Sequence, residues 1–320
     1  MLLGEDGAPF LNPFASKAYI ISGKTWVNNH AHILRSKTNN KFLCYYLNAF
    51  DYKGYVSGTT RYKLTQAEMK RIMVPVPPLE EQARIVARIE ELFSQLESGV
   101  ETLKQTKEQL AVYRQAVLKE AFDSLETVTV DSICTHVTDG DHQPPPKAEK
   151  GVPFIMISNI ENKTINWNGT AFVGEEYYNA LNDKRCPKRG DVLYTVTGSF
   201  GIPVMVDFDK RFCFQRHIAL LRPNESITQK YLFYALQEPS VYIQARDQAT
   251  GTAQKTVGLA ILRRLNIPYI KSIKKQEQIA AKIEASLSVC DQIEQTVDAA
   301  LQQAEALRQS ILKKAFEGGL

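Results

Sequence analysis

The sequence predicts an α/β (α+β) fold, with globular domains of mixed sheets joined by two long helices that form an antiparallel coiled coil. Two observations support this prediction. Segments 79–122 and 274–317 contain no proline and repeat apolar residues at spacings of three and four, as paired helices do. Short apolar runs separated by glycine and proline precede each of them, which is typical of sheet-containing domains.

The chain also contains an internal repeat. Residues 113–122 recur as 307–316, and residues 85–90 recur as 279–284 at the same offset of 194 residues. Solenoid repeats have periods of at most roughly 50 residues, so this offset indicates duplication of a whole module. We expect a complete second module and a first module that lacks its opening part. A duplicated chain suits a two-fold target.

In the first module, 41–47 and 66–71 are expected to be short helices because they match periodic segments of the second module. Prolines 75, 77 and 78 mark the start of the first long helix, since proline disfavours helix before it and is tolerated in a first turn. A helix of this length would extend about 66 Å at 1.5 Å per residue.

An apolar seam is predicted along each long helix. The first seam comprises Ile85, Ile89, Leu92, Leu96, Gly99, Leu103, Thr106, Leu110, Tyr113 and Val117. The second comprises Ile279, Ile283, Ser286, Cys290, Ile293, Val297, Ala300, Ala304, Leu307 and Ile311. The first seam is bulky and the second is rich in small residues, so we expect the helices to pair with each other. Two separate homodimerising coiled coils are the alternative.

The second module is expected to contain a largely antiparallel sheet. Predicted strands are 153–157, 191–196, 204–206 and 218–221, and predicted helices are 229–237 and 260–265. The turn residues between them are Gly140, Pro144, Pro145, Pro146, Gly169, Gly190, Gly198, Gly201 and Gly251.

Composition narrows the class of protein. The net charge is +4, but the two long helices carry −2 and −1, which leaves +7 on the globular parts. This distribution favours an anionic polymer as partner, although an ordinary solvated surface would also fit it. No apolar run approaches the roughly 20 residues that span a bilayer, and we expect a soluble cytoplasmic protein. The five cysteines are scattered, which argues against zinc and disulfides.

The motifs, in their order, resemble the specificity subunit of type I restriction–modification enzymes. The segments that carry this resemblance are 138–142, 151–155, 190–199, 215–223, 251–254, 267–268 with 276–279, and, in the first module, 74–82. The resemblance implies two target recognition domains that each read half of a split DNA site. It also implies that the two helices act as a spacer and dock the methyltransferase subunits.

The resemblance divides the chain into four parts. Residues 1–75 would be the C-terminal part of a first target recognition domain, and 76–122 the central long helix. Residues 123–270 would be a complete second recognition domain, and 271–320 the C-terminal long helix. The truncated first domain leaves open whether residues 1–75 read DNA alone or need a second polypeptide.

Candidate DNA contacts lie in glycine-containing loops, where hydroxyl and amide groups suit base edges and basic groups suit phosphates. They are Asp141, His142, Thr197, Ser199, Arg246, Thr252, Gln254, Lys255, Arg263 and Arg264, with Thr59, Thr60, Arg61 and Lys63 in the first module. Each of these residues taken alone is also compatible with an ordinary solvated surface.

An enzyme is not expected. The chain has no G-x-x-x-x-G-K-[ST] loop, residues 12–14 are one proline short of a methyltransferase box, and 207–210 match a nuclease core only loosely. His30, His32 and His217 fit structural roles better than metal ligation, so neither metal nor cofactor is expected.

The expected partners are double-stranded DNA, methyltransferase subunits and, through these, restriction subunits. No membrane partner is expected, and self-association is left open. Two alternatives remain, a structural coiled-coil adaptor that lost DNA reading and a nuclease or methyltransferase remnant.

Overall fold

The computed structural model describes residues 1–143 and 145–319. These residues form two compact units. Unit 1 comprises residues 1–109 and the chain from 293 onwards, and unit 2 comprises residues 110–292. Each long helix therefore contributes to both units. Pro144, one of the predicted turn residues, and Leu320, within the predicted segment 271–320, lie outside the described residues.

Unit 1 contains a small antiparallel sheet and two short helices. Its elements are β1 (Leu2–Gly4), β2 (Ala18–Tyr19), β3 (Ala31–Ile33), α1 (Asn40–Ala49), α2 (Gln66–Lys70) and the first part of α3 (Leu79–Ala121). Strand β1 lies between β2 and β3. The side chains of Leu3, Phe10, Leu47, Tyr52 and Leu64 form its buried core.

Unit 2 contains most of the strands. They are β4 (Glu126–Thr129), β5 (Cys134–Asp139), β6 (Lys147–Ala148), β7 (Val152–Ile155), β8 (Ile160–Glu161), β9 (Thr164–Ile165), β10 (Ala171–Val173), β11 (Val192–Thr195), β12 (Pro203–Met205), β13 (Cys213–Phe214), β14 (Ile218–Pro223) and β15 (Asn266–Tyr269). Its helices are α4 (Val130–Ile133), α5 (Glu175–Ala180), α6 (Gln229–Ala235), α7 (Pro239–Gln248), α8 (Leu259–Arg264) and the first part of α9 (Ile273–Phe316).

Two four-stranded sheets organise unit 2. The first, in the order β12-β11-β14-β5, is antiparallel throughout, and the second, in the order β13-β7-β10-β6, pairs β13 with β7 in parallel. Both faces of β11 are buried, because Val192 and Tyr194 pack into one core while Leu193 packs into the other. Burial on both faces explains why this strand reads as a continuous apolar run.

The two long helices pack together and run antiparallel, as predicted. In unit 1, Lys107 pairs with Asp298 at 2.8 Å, and Arg308 pairs with Glu97 at 3.1 Å. In unit 2, Arg114 pairs with Asp291 at 2.7 Å. Residue numbers on α9 fall as those on α3 rise, which is the signature of antiparallel pairing. The alternative of two separate homodimerising helices is therefore not supported.

Sixteen of the twenty predicted seam positions are buried or half-buried. Ile89, Leu96, Leu103, Leu110 and Val117 are buried or half-buried on α3, and Ile283, Cys290, Val297, Ala304 and Ile311 are their counterparts on α9. The four exceptions are Gly99, Tyr113, Ile293 and Leu307, which are exposed. The predicted seam omitted five further buried or half-buried positions of α3, which are Val86, Phe93, Val100, Lys107 and Arg114. Two of these are basic residues that reach acidic partners on α9, so apolar character alone could not locate them.

Every strand and short helix predicted for the second module is present within a few residues, as are the two short helices of the first. Helix α7 was not predicted. It begins at a proline, and only Val241 and Ala245 are buried, so its sequence lacks a broad apolar stripe. Within the described residues, no helix is both long and apolar enough to cross a membrane.

Candidate nucleic-acid interface

A seven-residue loop of unit 2 presents three of the predicted DNA contacts, Thr252, Gln254 and Lys255. Thr250 and Thr256 close it by two backbone hydrogen bonds of 2.9 and 2.8 Å. Gly251 follows Thr250 with φ +101°, and a Cβ atom there would lie 2.4 Å from the carbonyl oxygen of Gln254. Only glycine fits this turn, because an L side chain would meet both a left-handed backbone and a steric clash. Thr252, Gln254 and Lys255 are exposed on the loop.

Unit 1 contains the same loop. Ser57 and Lys63 close it by two backbone hydrogen bonds of 3.0 and 2.9 Å. Gly58 again has φ +101°, and a Cβ there would lie 2.3 Å from the carbonyl oxygen of Arg61. Thr59, Thr60 and Arg61 are exposed. The two loops therefore share one backbone frame and differ in the side chains that they present. We call them the 250–256 loop and the 57–63 loop.

Each loop packs against a second glycine. In unit 2 the Gly198 amide donates to the carbonyl of Lys255 at 2.9 Å, and a Cβ on Gly198 would lie 3.0 Å from the side-chain nitrogen of Gln254. In unit 1 the Gly7 amide donates to the carbonyl of Tyr62 at 2.9 Å. The sequence nominated residues 197–199 and 251–255 separately, and the fold brings them together.

Four loops of unit 2 meet at one end of the sheet that contains β5, β11 and β14. The Val196 amide donates to the carbonyl of His217 at 2.9 Å, and the Val257 amide donates to the carbonyl of Val196 at 2.8 Å. Asp141 forms an isolated bridge with Gln215. We refer to residues 139–143, 196–199, 215–217 and 250–256 as the loop cluster. The antiparallel order explains it, because β5 and β11 end where β14 begins.

The loop cluster carries exposed positive charge. The side chains of Arg216 and Lys255 are exposed, and neither has an ion-pair partner among the described residues. Burial, together with the neighbouring Arg216 charge, lowers the pKa of His217 below its ordinary value. His217 is therefore neutral near pH 7 and offers a hydrogen-bonding imidazole rather than a charge. Arg216 was not among the DNA contacts predicted from the sequence. Its position next to His217 in the sequence could have indicated it.

The corresponding end of unit 1 is electrostatically different. Two acidic residues, Glu5 and Asp6, occupy the positions that Val196 and Thr197 hold in unit 2. Asp6 accepts from Arg61 at 2.8 Å, and Glu5 lies 3.8 Å from the ammonium of Lys63. The basic side chains of the 57–63 loop are thus partly neutralised by their own unit.

Several predicted contacts are held by partners inside unit 2. Asp141 accepts from the Tyr177 hydroxyl at 2.8 Å and lies 3.4 Å from Arg185. His142 lies 2.9 Å from Asp139 and is exposed. The Thr197 side chain is buried, and its hydroxyl lies 3.3 Å from that of Thr256. Thr197 therefore supports the 250–256 loop in this structure.

The remaining candidates are more scattered. Ser199 is exposed beside Gly198. Arg246 forms an ion pair with Asp247 at 2.9 Å. Arg263 donates to the carbonyl of Val137 at 2.6 Å, and Arg264 donates to the carbonyl of Ala260 at 3.0 Å. Their role in binding DNA stays a prediction.

Two buried glutamines fix the loop-bearing units to the long helices, and sequence reasoning missed this role. Gln276 accepts from the Thr228 amide at 2.9 Å and donates to the carbonyls of Ser226 and Ile270, both at 2.8 Å. Gln82 accepts from the Asn39 amide at 3.1 Å and donates to the carbonyl of Pro77 at 2.8 Å. Gln82 and Gln276 occupy matching positions of the internal repeat, which could have indicated their shared role.

The residues considered for metal or nuclease chemistry do not converge. His32 lies 2.8 Å from the Leu64 carbonyl and 3.6 Å from Glu5, and His30 lies 3.5 Å from Asp6. Asp209 pairs with Arg189, while the Lys210 ammonium lies 3.8 Å from the centre of the Trp167 ring. Across residues 1–143 and 145–319, no group of three or more histidine, cysteine or acidic residues could hold a metal ion.

The family model of the type I restriction modification DNA specificity domain matches residues 12–110 and 125–303. The chain belongs to this family. Its two matched segments correspond to the two copies of the repeat. Membership in a DNA specificity family agrees with the expectation of a non-catalytic protein.

Individual relatives are similar over most of the chain. The type I restriction enzyme EcoBI specificity subunit of Escherichia coli is 26% identical over 323 residues, which cover 90% of this chain and 67% of that relative. A solved structure describing complex assembly and conformational transition of the type I R-M system has a TM-score of 0.73 at 20% identity, covering 88% of this chain and 72% of that one. The HsdS subunit of Thermoanaerobacter tengcongensis has a TM-score of 0.54 at 20% identity, covering 88% of this chain and 70% of that one. These structural similarities concern the fold.

Proposed function

We propose that this specificity protein reads DNA sequence chiefly through the loop cluster of unit 2, as part of a type I restriction–modification complex. The observation that supports the proposal is the repeated loop. The same closed seven-residue frame occurs in both units and presents different exposed side chains in each. A fixed frame with variable polar tips suits the reading of different bases.

Within the loop cluster, the side chains divide by chemistry. Thr252 and Gln254 offer hydroxyl and amide groups to base edges, and Lys255 and Arg216 offer charge to phosphates. His217 stays neutral, which suits a hydrogen bond to a base more than a phosphate contact.

Unit 1 is proposed to contribute less. Arg61 would have to leave Asp6, and the two carboxylates of residues 5 and 6 repel phosphates. These acidic residues in unit 1 are the one observation that favours the alternative, in which the protein is a structural scaffold with reduced DNA reading.

The antiparallel helices are proposed to dock methyltransferase subunits and, through them, restriction subunits. They are also proposed to set the spacing between the two halves of the target. Each helix has 43 or 44 residues, so it extends about 65 Å at 1.5 Å per residue, close to two turns of duplex DNA. The four segments 1–75, 76–122, 123–270 and 271–320 remain proposed functional divisions.

Selection from a randomised duplex library tests the reading function. The full chain, assembled with its methyltransferase subunit, is expected to enrich a sequence motif. Replacing Ala253-Gln254-Lys255 by the Thr-Arg-Tyr of residues 60–62 should change the enriched bases in one half of the motif. An assembled complex that enriches no motif would contradict the proposal.

A charge-removal series separates phosphate contacts from base contacts. Lys255→Ala should weaken binding to all duplexes alike and reduce the slope of log K against log salt by about 0.9, as expected for one lost phosphate contact. Lys230→Ala is the matched control, because Lys230 lies on helix α6, away from the loop cluster, and pairs with Glu284 of helix α9. Equal effects of the two variants would exclude a phosphate contact at Lys255. Anisotropy titrations at several salt concentrations measure both.

A further inference from the structure

An apolar pocket lies beside the loop cluster, on one face of the sheet β13-β7-β10-β6. Its volume is about 300 Å³, and its floor is lined by Phe154, Met156, Ala171 and Val173. Strand register brings these side chains together, because Ala171 lies opposite Phe154 and Val173 follows two residues later on the same face of β10. Apolar surface therefore faces an open cavity at the end of unit 2 that is proposed to meet DNA.

The walls of the pocket are fixed by contacts within unit 2. A Cβ atom at Gly140 would lie 2.0 Å from the carbonyl oxygen of Phe214, so only glycine lets residues 139–143 approach this segment. On the other side, the Gln215 amide donates to the carbonyl of Ile155 at 2.9 Å, which ties the second wall to β7. The pocket therefore needs no ligand in order to form.

The rim of the pocket is polar and carries positive charge. Its four polar side chains without an acidic group of their own are Lys147, Gln215, Arg216 and His217. Among the described residues, none of these four side chains has a hydrogen bond or an ion pair. The carboxylate of Asp141, which also lines the pocket, is already engaged, since it accepts from the Tyr177 hydroxyl at 2.8 Å and lies 3.4 Å from Arg185. The rim thus offers free hydrogen-bonding groups and net positive charge.

This combination of floor and rim discriminates among the parts of a DNA molecule. A phosphate gains nothing from an apolar floor, and a base that stays paired presents only its edge. A base that has left the stack presents apolar faces to the floor and a hydrogen-bonding edge to Gln215 and His217. Lys147 and Arg216 attract the phosphates that flank such a base.

We propose that this pocket, here called the base pocket, binds one nucleobase that has left the stack of the DNA held by the loop cluster. The inference deepens the DNA-reading function proposed above and rests on it. It adds a second recognition step, because the position whose base is easiest to extrude and fits the pocket best is favoured.

Duplexes that contain one unpaired base test the proposal. The full chain, assembled with its methyltransferase subunit, is titrated with the duplex of the enriched motif. It is also titrated with a set of duplexes in which the partner of one base at a time is replaced by an abasic site. Loss of the partner lowers the cost of extrusion, so at one position binding should be at least about fivefold tighter than to the paired duplex. At the other positions the abasic site should bring no gain in affinity.

Matched variants assign this gain in affinity to the base pocket. Ala171→Leu fills the pocket and should cancel the gain, whereas Ala180→Leu adds the same atoms at an exposed place on α5 and should retain it. A second pair serves if Ala171→Leu does not fold. His217→Ala removes a rim group and should reduce the gain at least about threefold, whereas His136→Ala changes a half-buried histidine of β5 outside the pocket and should retain it.

Photocrosslinking locates the unpaired base directly. A photoreactive analogue of this base should crosslink to residues 154–156, 171–173 or 215–217 of this chain. Crosslinks to the methyltransferase subunit alone, or a gain in affinity that survives both Ala171→Leu and His217→Ala, would mean that the base is held elsewhere and would overturn the proposal.

The same titrations separate this inference from the function on which it rests. If the paired motif binds more tightly than random duplex but no abasic site brings a gain, the base pocket is wrong and DNA reading stands. If the complex does not distinguish the motif from random duplex, both are wrong. Free nucleosides lack the flanking phosphates and should leave the gain intact. If they cancel it, the pocket serves a free nucleoside and the proposal is overturned.

Discussion

Replacing Gln276 by methionine should destabilise unit 2 strongly. The glutamine side chain is fully buried and satisfies three backbone groups, the amide of Thr228 and the carbonyls of Ser226 and Ile270. Methionine has a similar length, so little cavity forms, but it leaves these groups without partners. At about 1 kcal/mol or somewhat more per unsatisfied group, the free energy of unfolding should fall by about 3–4 kcal/mol.

Urea denaturation measures this loss. The fluorescence of Trp167 reports on unit 2, because this ring packs edge-on against Phe208 and Phe212. With a slope of about 2 kcal/mol/M, the unfolding midpoint should fall by about 1.5–2 M. Gln278→Met is the matched control, since the neighbouring Gln278 is exposed and should shift the midpoint little. A shift of less than about 0.5 M for Gln276→Met would refute the reasoning, because it would mean that water replaces the lost hydrogen bonds at little cost.

Three further predictions concern the loop cluster and the helices. Gly251→Ala should weaken DNA binding at least tenfold in anisotropy titrations, because the new Cβ would lie 2.4 Å from the Gln254 carbonyl, whereas Gly258→Ala has open space and should bind normally. His217 should titrate below its ordinary pKa in NMR, and Arg216→Gln should raise that pKa. The folded state disfavours protonated His217. Its contribution to the free energy of unfolding is therefore present above the unfolded pKa of about 6.5 and is lost as pH falls through the lower folded pKa. If the free energy of unfolding of His217→Gln runs parallel to that of the unsubstituted chain across pH, this reasoning is contradicted. Deleting one matched heptad from each long helix should shorten the target spacer by about three base pairs, since seven residues rise about 10 Å, and an unchanged spacer in library selection would contradict the spacer role.

Much of the fold could be predicted from sequence because its signals are local. Periodic apolar residues and bounding prolines located both long helices, and the bulky seam of one beside the small-residue seam of the other predicted their pairing. The seam was wrong at four positions and omitted Lys107 and Arg114, because these basic residues are half-buried only beside their acidic partners on α9. Helix α7 was missed because only two of its side chains are buried.

The candidate site was predictable in composition but not in arrangement. Glycine, hydroxyl, amide and basic residues marked residues 251–255 as a binding loop. The closure of this loop by Thr250 and Thr256 depends on backbone hydrogen bonds, which no sequence pattern predicts. The ion pair between Asp6 and Arg61 joins residues 55 positions apart, so the electrostatic difference between the units required the fold.

The closed frame of the 250–256 loop separates two tasks within one short segment. Its end residues and Gly251 hold the turn, while residues 252–255 are exposed and contribute nothing to the buried core. Substitutions among those four positions can change the presented chemistry while the free energy of folding stays nearly constant. In the proposed DNA-reading role the loop would act as a cassette, in which single substitutions change the target preference without a cost in stability.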